Sequence, residues 1–209
     1  HQLIELYSSE GCSSCPPAEY WINQLRRHPQ LFSRVIPVVF HVDYWDALGW
    51  RDRFASERFS RRQFLHEKEG NLSAVYTPGM LINGREFTGW RRGPLPDLQV
   101  ATAGDLQVEI HGKELEVTYD DEIAAFAKQL HVARLGFDLG TFVKKGENAH
   151  RKLIHDFVVT GYAIKTSDSN IWRMPLPEPR FGATTEALAV WVTRAGSLIP
   201  LQATAAWLE

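Results

Sequence analysis

The stretch that decides the fold is residues 3–18, which read LIELYSSEGCSSCPPA. The first five residues are typical of a short buried strand, and the turn residues after them end it. Ala18, Ile22 and Leu25 then recur at helical spacing, which predicts a helix that begins just after Cys15. A Cys-x-x-Cys pair placed between a strand and the start of a helix is typical of a thiol–disulfide redox site.

The helix start gives the two cysteines different expected roles. The first N–H groups of a helix lack partners within it and carry partial positive charge, so they favour an anion. We expect Cys12 to be the nucleophile, because its thiolate can accept hydrogen bonds from the amides of Ser14 and Cys15 and from the Ser13 or Ser14 hydroxyl. Cys15 would be the resolving thiol that expels a mixed disulfide. So short a loop adds little stability through chain entropy, which weakens the interpretation as a structural staple.

The composition excludes several classes of protein. The chain has 209 residues, of which 44% are hydrophobic and 23% charged, with a formal net charge of −2. These values are typical of a globular protein and give no electrostatic reason to expect nucleic acid as a partner. No stretch approaches the roughly 20 apolar residues that span a bilayer. We expect no cofactor, and we assign no metal ligands.

The first ninety residues predict the element order β-α-β-α-β-β. Residues 35–42 are almost continuously apolar, as in a strand covered on both faces. A second helix is predicted from about Ser56, a good N-cap, to about Lys68. Asn83-Gly84 tolerates the positive φ angles of a type I′ turn and predicts a hairpin. Pro78 follows Thr77 at the start of the third strand, where a cis bond would set the backbone opposite the sulfurs to pair with an extended substrate.

Beyond residue 104 the pattern changes to short strands separated by turn residues, which predicts an antiparallel, sandwich-like β domain. We therefore divide the chain into a redox domain (1–95), a linker (96–104) and a β-rich domain of unknown role (105–209). Residues 121–129 fit a helical insertion. His150 and His155 are scattered and are interpreted as surface histidines.

Several motifs together resemble domain-of-unknown-function family 1223, predicted secreted bacterial proteins within the thioredoxin-like superfamily. The motifs that carry the resemblance are residues 5–18, 41–46, 48–50, 75–78 and 146–148. The resemblance implies a thioredoxin-like α/β fold over roughly residues 1–92, followed by the smaller β-rich domain, an extracytoplasmic (periplasmic or secreted) location and an unassigned activity. The chain departs from ordinary thioredoxins in its Ser-Ser dipeptide, in the lack of an aromatic residue before Cys12 and in its large β-rich segment.

Four further residues are candidates for lining the site. His41, Asp43 and Trp45 lie at the carboxyl end of the second strand, where ligands bind in open α/β sheets. His41 or Asp43 could exchange protons and Trp45 could wall the site, or all three could simply be packed. Glu5 lies on the strand beneath the helix. It is either a general base of raised pKa for Cys15 or a glutamate that faces the surface.

Three functions compete on these residues. The leading hypothesis is thiol–disulfide exchange on protein or peptide thiols. The second is a Cu(I) metallochaperone, since two thiolates suit Cu(I) and His41 could complete a trigonal site. The third is a binding module in which the disulfide is inert.

Overall fold

The elements around the cysteine pair follow the predicted order. The computed structural model describes residues 1–97, 104–121 and 126–208. Its first elements are β1 (Gln2–Ser8), α1 (Pro16–Asn23), β2 (Val35–His41), α2 (Glu57–Lys68), β3 (Gly79–Ile82) and β4 (Arg85–Glu86). Ser56 caps α2 by accepting a hydrogen bond from the Arg58 amide at 3.3 Å. Positive φ angles at Asn83 and Gly84 form the predicted hairpin turn.

The elements found in the described part of the second half are all strands. They are β5 (Asp105–His111), β6 (Glu114–Asp120), β7 (Lys128–Gly136), β8 (Leu139–Phe142), β9 (Lys152–His155), β10 (Val158–Ser167), β11 (Ile171–Pro175), β12 (Glu186–Arg194) and β13 (Pro200–Leu208). β5 and β6 form a hairpin in which the two strands are antiparallel along their whole length.

One large mixed sheet runs through both halves, in the order β13-β12-β7-β10-β2-β1-β3-β4. The halves join where β10 lies parallel to β2, with Val158 opposite Val39. The Val39 amide donates to the Phe157 carbonyl oxygen at 2.9 Å. Pro37 lies two residues earlier in β2 and has no N–H, so this pairing cannot extend toward the start of β2.

The two helices cover opposite faces of the sheet. Alternate residues of β1 point to opposite faces. Ser8 contacts Glu19 of α1, whereas Glu5 contacts Arg62 of α2. All seven residues of β2 are buried, as expected for a strand between two helices. This arrangement places α1, with the cysteine pair at its start, on the face away from Glu5.

A small sheet, β11-β6-β5, covers one face of the second half. Leu130 and Val132 of β7 pack against Val117 and Trp172 of this sheet. Ala133 and Leu135 of β7 face the other way and join the core of the first half. The two cores thus share the strands between them.

The predicted fold class was wrong. Of the described residues, 43% are in strands and 15% in helices, and these residues form a large mixed sheet with two short α-helices instead of a thioredoxin-like α/β fold followed by a separate sandwich. The physical reason is that the β-rich half extends the first sheet through β10. Pairing between distant strands leaves no mark on the local periodicity from which the class was inferred.

Some predictions fall on undescribed parts of the chain. Most of the predicted linker 96–104 lies outside the described residues, and the division into domains stays a prediction. Of the predicted helical insertion, residues 122–125 also lie outside them, and β7 occupies its end. Among the described residues, no helix is long and apolar enough to cross a membrane.

Candidate functional site

Cys12 and Cys15 form a disulfide at the start of α1. Their Cα atoms lie 5.4 Å apart, and Cys15 is the residue that caps the helix. Both cysteines are fully buried, whereas Ser13 and Ser14 between them are exposed. The bridge therefore lies just below the surface, under a short exposed turn.

Several predicted site residues do meet at this bridge. The Ser14 hydroxyl lies 3.3 Å from the Cys12 sulfur and 3.3 Å from the Thr77 carbonyl oxygen. The Trp45 indole N–H donates to the Thr77 hydroxyl at 2.8 Å. The Thr77–Pro78 peptide bond is cis. Ser14 thus connects the sulfur to the loop that leads into β3.

One expected contact of the Cys12 sulfur is absent. The Cys15 amide donates to the Cys12 carbonyl oxygen at 3.2 Å. It is therefore engaged in the turn and is not directed at the sulfur. The Ser13 amide is also occupied, because it donates to the Glu147 carboxylate at 3.0 Å. Of the expected donors, the Ser14 hydroxyl is the one seen in contact with the sulfur.

Residues 146–148, here called the Asn148 loop, hold the cysteine turn from the second half of the chain. The buried Asn148 side-chain amide donates to the carbonyl oxygens of Glu10 and Cys12, each at 2.9 Å. Gly146 has φ +79°, and a Cβ at this position would lie 3.2 Å from the Trp50 Cβ. Two of the motifs that carry the family resemblance, 48–50 and 146–148, are therefore in contact next to the disulfide.

Glu5 does not belong to this site. Its carboxylate binds the Arg62 guanidinium at 2.7 and 3.0 Å on the α2 face. Burial alone would raise the pKa of Glu5, but Arg62 and His66 hold that pKa well below its ordinary value. The raised pKa expected of a general base is thus not found, and Glu5 lies on the wrong face of the sheet to reach Cys15.

Asp43 is engaged with α2 as well. Its amide donates to the Ser60 hydroxyl at 3.0 Å, and its carboxylate accepts from the same hydroxyl. These contacts fix the loop after β2 to the helix. Both of these contacts of Asp43 are therefore with α2, and neither is with the helix that carries the cysteine pair.

His41 points instead into a buried cluster on the α1 face. Its Nδ1 lies 2.6 Å from an Asp52 carboxylate oxygen, and both side chains are fully buried. Burial favours neutral forms. The mutual attraction of the two residues nevertheless raises the pKa of His41 and lowers that of Asp52. Asp52 also accepts hydrogen bonds from the amides of Glu10 and Phe54 at 2.9 Å, so its carboxylate is well satisfied.

His155 completes this cluster, contrary to the expectation of a surface histidine. It is 1% exposed. Its Nδ1 contacts Glu19 of α1, and its Nε2 lies 3.2 Å from a Glu10 oxygen. Burial would lower the pKa of His155, but the two carboxylates raise it to about 10. The His41 and His155 rings are in edge contact, with centroids 5.1 Å apart.

The sequence interpretation missed most of this cluster. Glu19 follows Cys15 by four residues and so lies on the same side of α1, a signal that could have singled it out. Glu10 and Asp52 lie within or beside the conspicuous motifs. His155 had no such signal, because only the tertiary fold brings β9 to α1.

A family model described as "Protein of unknown function (DUF1223)" matches residues 3–193 of the chain, a range that includes all of these motifs. The chain belongs to the DUF1223 family. The resemblance to this family that the motifs indicated is thereby confirmed. No curated protein matches the chain.

Two solved structures are similar to this DUF1223 protein. Protein AGR_C_4864 from Agrobacterium tumefaciens has 23% sequence identity and a TM-score of 0.66, with 99% of this chain and 93% of that chain covered. HBP35 of Porphyromonas gingivalis has 13% identity and a TM-score of 0.59, with 100% of this chain and 75% of that chain covered. At these identities the likeness shows a shared fold.

Proposed function

We propose that the protein carries out thiol–disulfide exchange with protein or peptide thiols through Cys12 and Cys15. The observation that carries the proposal is the disulfide at the start of α1, whose Cys12 sulfur contacts the Ser14 hydroxyl beside the Thr77 carbonyl. A pair of cysteines three residues apart at a helix start is well placed to form a bridge and to break it.

The exchange balances as a two-electron transfer. In the reduced protein, the Cys12 thiolate attacks a partner disulfide, forms a mixed disulfide and releases one partner thiolate. The Cys15 thiolate then attacks the Cys12 sulfur, releases the second partner thiolate and re-forms the bridge seen here. The partner disulfide is reduced to two thiols while the Cys12–Cys15 pair is oxidised. The reverse sequence oxidises a partner dithiol.

Access to the sulfurs requires the turn to open. Both sulfurs are buried, but Ser13, Ser14 and Glu147 are exposed. The Ser13–Glu147 hydrogen bond is therefore open to competition from water or from a partner backbone. A partner that replaced it would loosen the turn that covers the bridge.

The cellular setting is part of the proposal. Disulfides persist in oxidising compartments, so a bridged Cys12–Cys15 pair supports the extracytoplasmic location that the family resemblance implied. The Cu(I) alternative would need His41 at the two sulfurs, but among the described residues the ligand atoms grouped with His41 come from Glu19 and His155 and from neither cysteine.

Exchange with glutathione and reduction of insulin disulfides test the proposal. We expect Cys12→Ser to abolish both activities and Cys15→Ser to accumulate a mixed disulfide visible by mass spectrometry. Glu67→Gln, a change on the exposed side of α2, should behave as wild type. A wild-type protein that exchanges with neither reagent would refute the proposal.

A further inference from the structure

Glu19, His41 and His155 converge in the interior behind the cysteine pair. One carboxylate oxygen and one ring nitrogen from each histidine all lie within 4.8 Å of one another. All three residues are buried. They come from α1, from the end of β2 and from the end of β9, so three separate elements meet at this point.

The free nitrogen of His41 is the most informative atom in the group. His41 Nε2 is buried without a hydrogen-bond partner, while Nδ1 is taken by Asp52. When the Nδ1–H group donates to Asp52, Nε2 carries a lone pair. None of the described residues donates a hydrogen bond to it. A buried polar atom left without a partner is costly. A histidine oriented by a carboxylate through its other nitrogen is the common form of a metal ligand.

The other two residues are oriented in the same way. His155 Nε2 is held by Glu10 at 3.2 Å, which leaves Nδ1 directed at Glu19. The second oxygen of the Glu19 carboxylate accepts a hydrogen bond from the Ser8 hydroxyl. Each candidate ligand atom therefore has a supporting partner on the far side of its own group.

The charge of the cluster calls for a cation. It contains the carboxylates of Glu10, Glu19 and Asp52, and the ion pairs of these three in the described chain are with histidines. The extra proton on His155, whose two nitrogens both face carboxylates, offsets one of the three negative charges. One divalent cation bound in place of that proton, with both histidines neutral, offsets two.

We propose that Glu19, His41 and His155 bind a divalent transition-metal ion such as Zn²⁺ through one oxygen and two nitrogens. Two histidines and one glutamate form a known ligand set for zinc. Ligands on a tetrahedral ion with bonds of about 2.1 Å are about 3.4 Å apart. The three atoms lie within 4.8 Å of one another, so His41 must move closer while the Glu19 and His155 atoms move apart. Binding replaces the His155–Glu19 hydrogen bond and releases the His155 Nδ1 proton to solvent.

Of the three proposed ligands, Glu19 is the most exposed, at 6%. Glu19 lines a groove of about 490 Å³ between α1 and β9, together with Pro16 and Leu153. Because the site joins α1 to β2 and β9, a bound ion would fix the helix that carries the cysteine pair to both halves of the chain. The proposal does not depend on thiol exchange.

Titration of the untagged, chelator-treated protein with Zn²⁺ and Co²⁺ tests the site. The disulfide is left intact, so that the sulfurs cannot serve as ligands. We expect one equivalent of Zn²⁺ by calorimetry and by elemental analysis. Bound Co²⁺ should give visible bands of a four- or five-coordinate ion without thiolate charge transfer. Cys12→Ser/Cys15→Ser should bind equally well, which separates this outcome from the fate of the proposed exchange.

Variants locate the ion. Glu19→Gln and His41→Gln should weaken Zn²⁺ binding by more than about 100-fold, and Asp52→Asn by about 10- to 100-fold through loss of the supporting carboxylate. His66→Gln is the matched control. His66 is also a buried histidine beside a carboxylate, with Nε2 3.5 Å from a Glu5 oxygen, but Arg62 already pairs with that carboxylate.

Two results would overturn the proposal. One is a folded wild-type protein that takes up neither Zn²⁺ nor Co²⁺. The other is binding that Glu19→Gln and His41→Gln leave unchanged. Should those variants fail to fold, nitrogen NMR of the wild-type protein decides. Zn²⁺ must shift the His41 Nε2 and His155 Nδ1 resonances, and shifts confined to other histidines would place the ion elsewhere.

Discussion

Asn148 donates its side-chain amide to the Cys12 carbonyl oxygen at 2.9 Å, although 136 residues separate the two in the chain. The same amide bonds the Glu10 carbonyl oxygen. The turn that holds the disulfide is thus anchored by a residue from the far half of the molecule. The Asn148 loop can therefore control both the stability of the turn and how readily the bridge is reached.

Asn148→Ala should destabilise the protein and expose the bridge. Two buried carbonyl oxygens lose their donor, which costs about 2–4 kcal/mol of unfolding free energy. Urea unfolding measures this loss, and the rate of reduction by dithiothreitol should rise. Asn23→Ala is the control, because Asn23 joins α1 to the Ile154 carbonyl oxygen but does not contact the cysteine turn. Equal reduction rates in wild type and Asn148→Ala would contradict this role of the loop.

Gly146→Ala should act on the same loop through sterics. An alanine held at φ +79° costs about 1–2 kcal/mol, and its Cβ would also press on Trp50. Gly182→Ala isolates the backbone cost, since Gly182 has φ +67° and nothing within 4 Å of the added Cβ. We expect both variants to have a lower melting temperature than the wild type. Only Gly146→Ala should also increase the rate at which dithiothreitol reduces the disulfide. A similar acceleration in Gly182→Ala would point to general loosening instead.

Ser14→Ala should slow the chemistry at Cys12. The Ser14 hydroxyl donates to the Thr77 carbonyl oxygen in the bridged form. In the reduced protein it can turn to donate to the Cys12 thiolate instead, a bond to a charged atom that contributes about 1.5 kcal/mol. Its loss should reduce alkylation by iodoacetamide at neutral pH about tenfold. Ser13→Ala is the matched control on the neighbouring exposed residue. If both variants react at the wild-type rate, the hydroxyl does not assist the sulfur.

Glu5 should make the fold sensitive to acid. The pKa of Glu5 is held below its ordinary value of 4.5 in the folded protein, chiefly by Arg62 against the opposing effect of burial. The unfolded chain therefore takes up the proton more readily. The stabilisation is present above about pH 4.5 and is lost as the pH falls below it.

Glu5→Gln should flatten this dependence between pH 5 and pH 3. It should also cost about 3–5 kcal/mol at neutral pH, because Arg62 is left buried without its partner. Urea unfolding over that range measures both effects. Glu57→Gln, which breaks the exposed ion pair with Arg61, should cost less than about 1 kcal/mol and keep the acid dependence. An unchanged slope in Glu5→Gln would assign the acid sensitivity to another group.

Local patterns were sufficient for the parts of the molecule that local forces determine. The strand, turn and helix around Cys12, the Ser56 cap and the Asn83-Gly84 turn depend on neighbours in the chain, and the sequence predicts all of them. The pairing of β10 with β2 depends on residues more than a hundred positions apart. A strand pattern shows that a segment will pair but not with which partner, and for that reason the fold class was misjudged.

The difference between local and long-range contacts also explains which site residues were predicted, both at the cysteine pair and in the cluster around His155. Ser14 and Thr77 were expected near the sulfurs because the order of elements brings them there. Glu5 was placed on the correct strand, but it neither reaches Cys15 nor faces the surface, since a buried strand shows no alternation that tells its two sides apart. His155 was interpreted as a surface residue because nothing near it in the chain reveals its carboxylate partners.

The pairing of β10 with β2 also covers a strand edge that the first half of the chain would otherwise expose. Without β10, β2 would be an edge strand of seven buried residues, and Val39 would lose its hydrogen-bond partner. An exposed apolar edge of this kind recruits strands from other molecules. Pro37 would blunt that tendency only locally. The second half of the chain therefore reduces the tendency of the first half to aggregate. Residues 1–97 produced alone should self-associate.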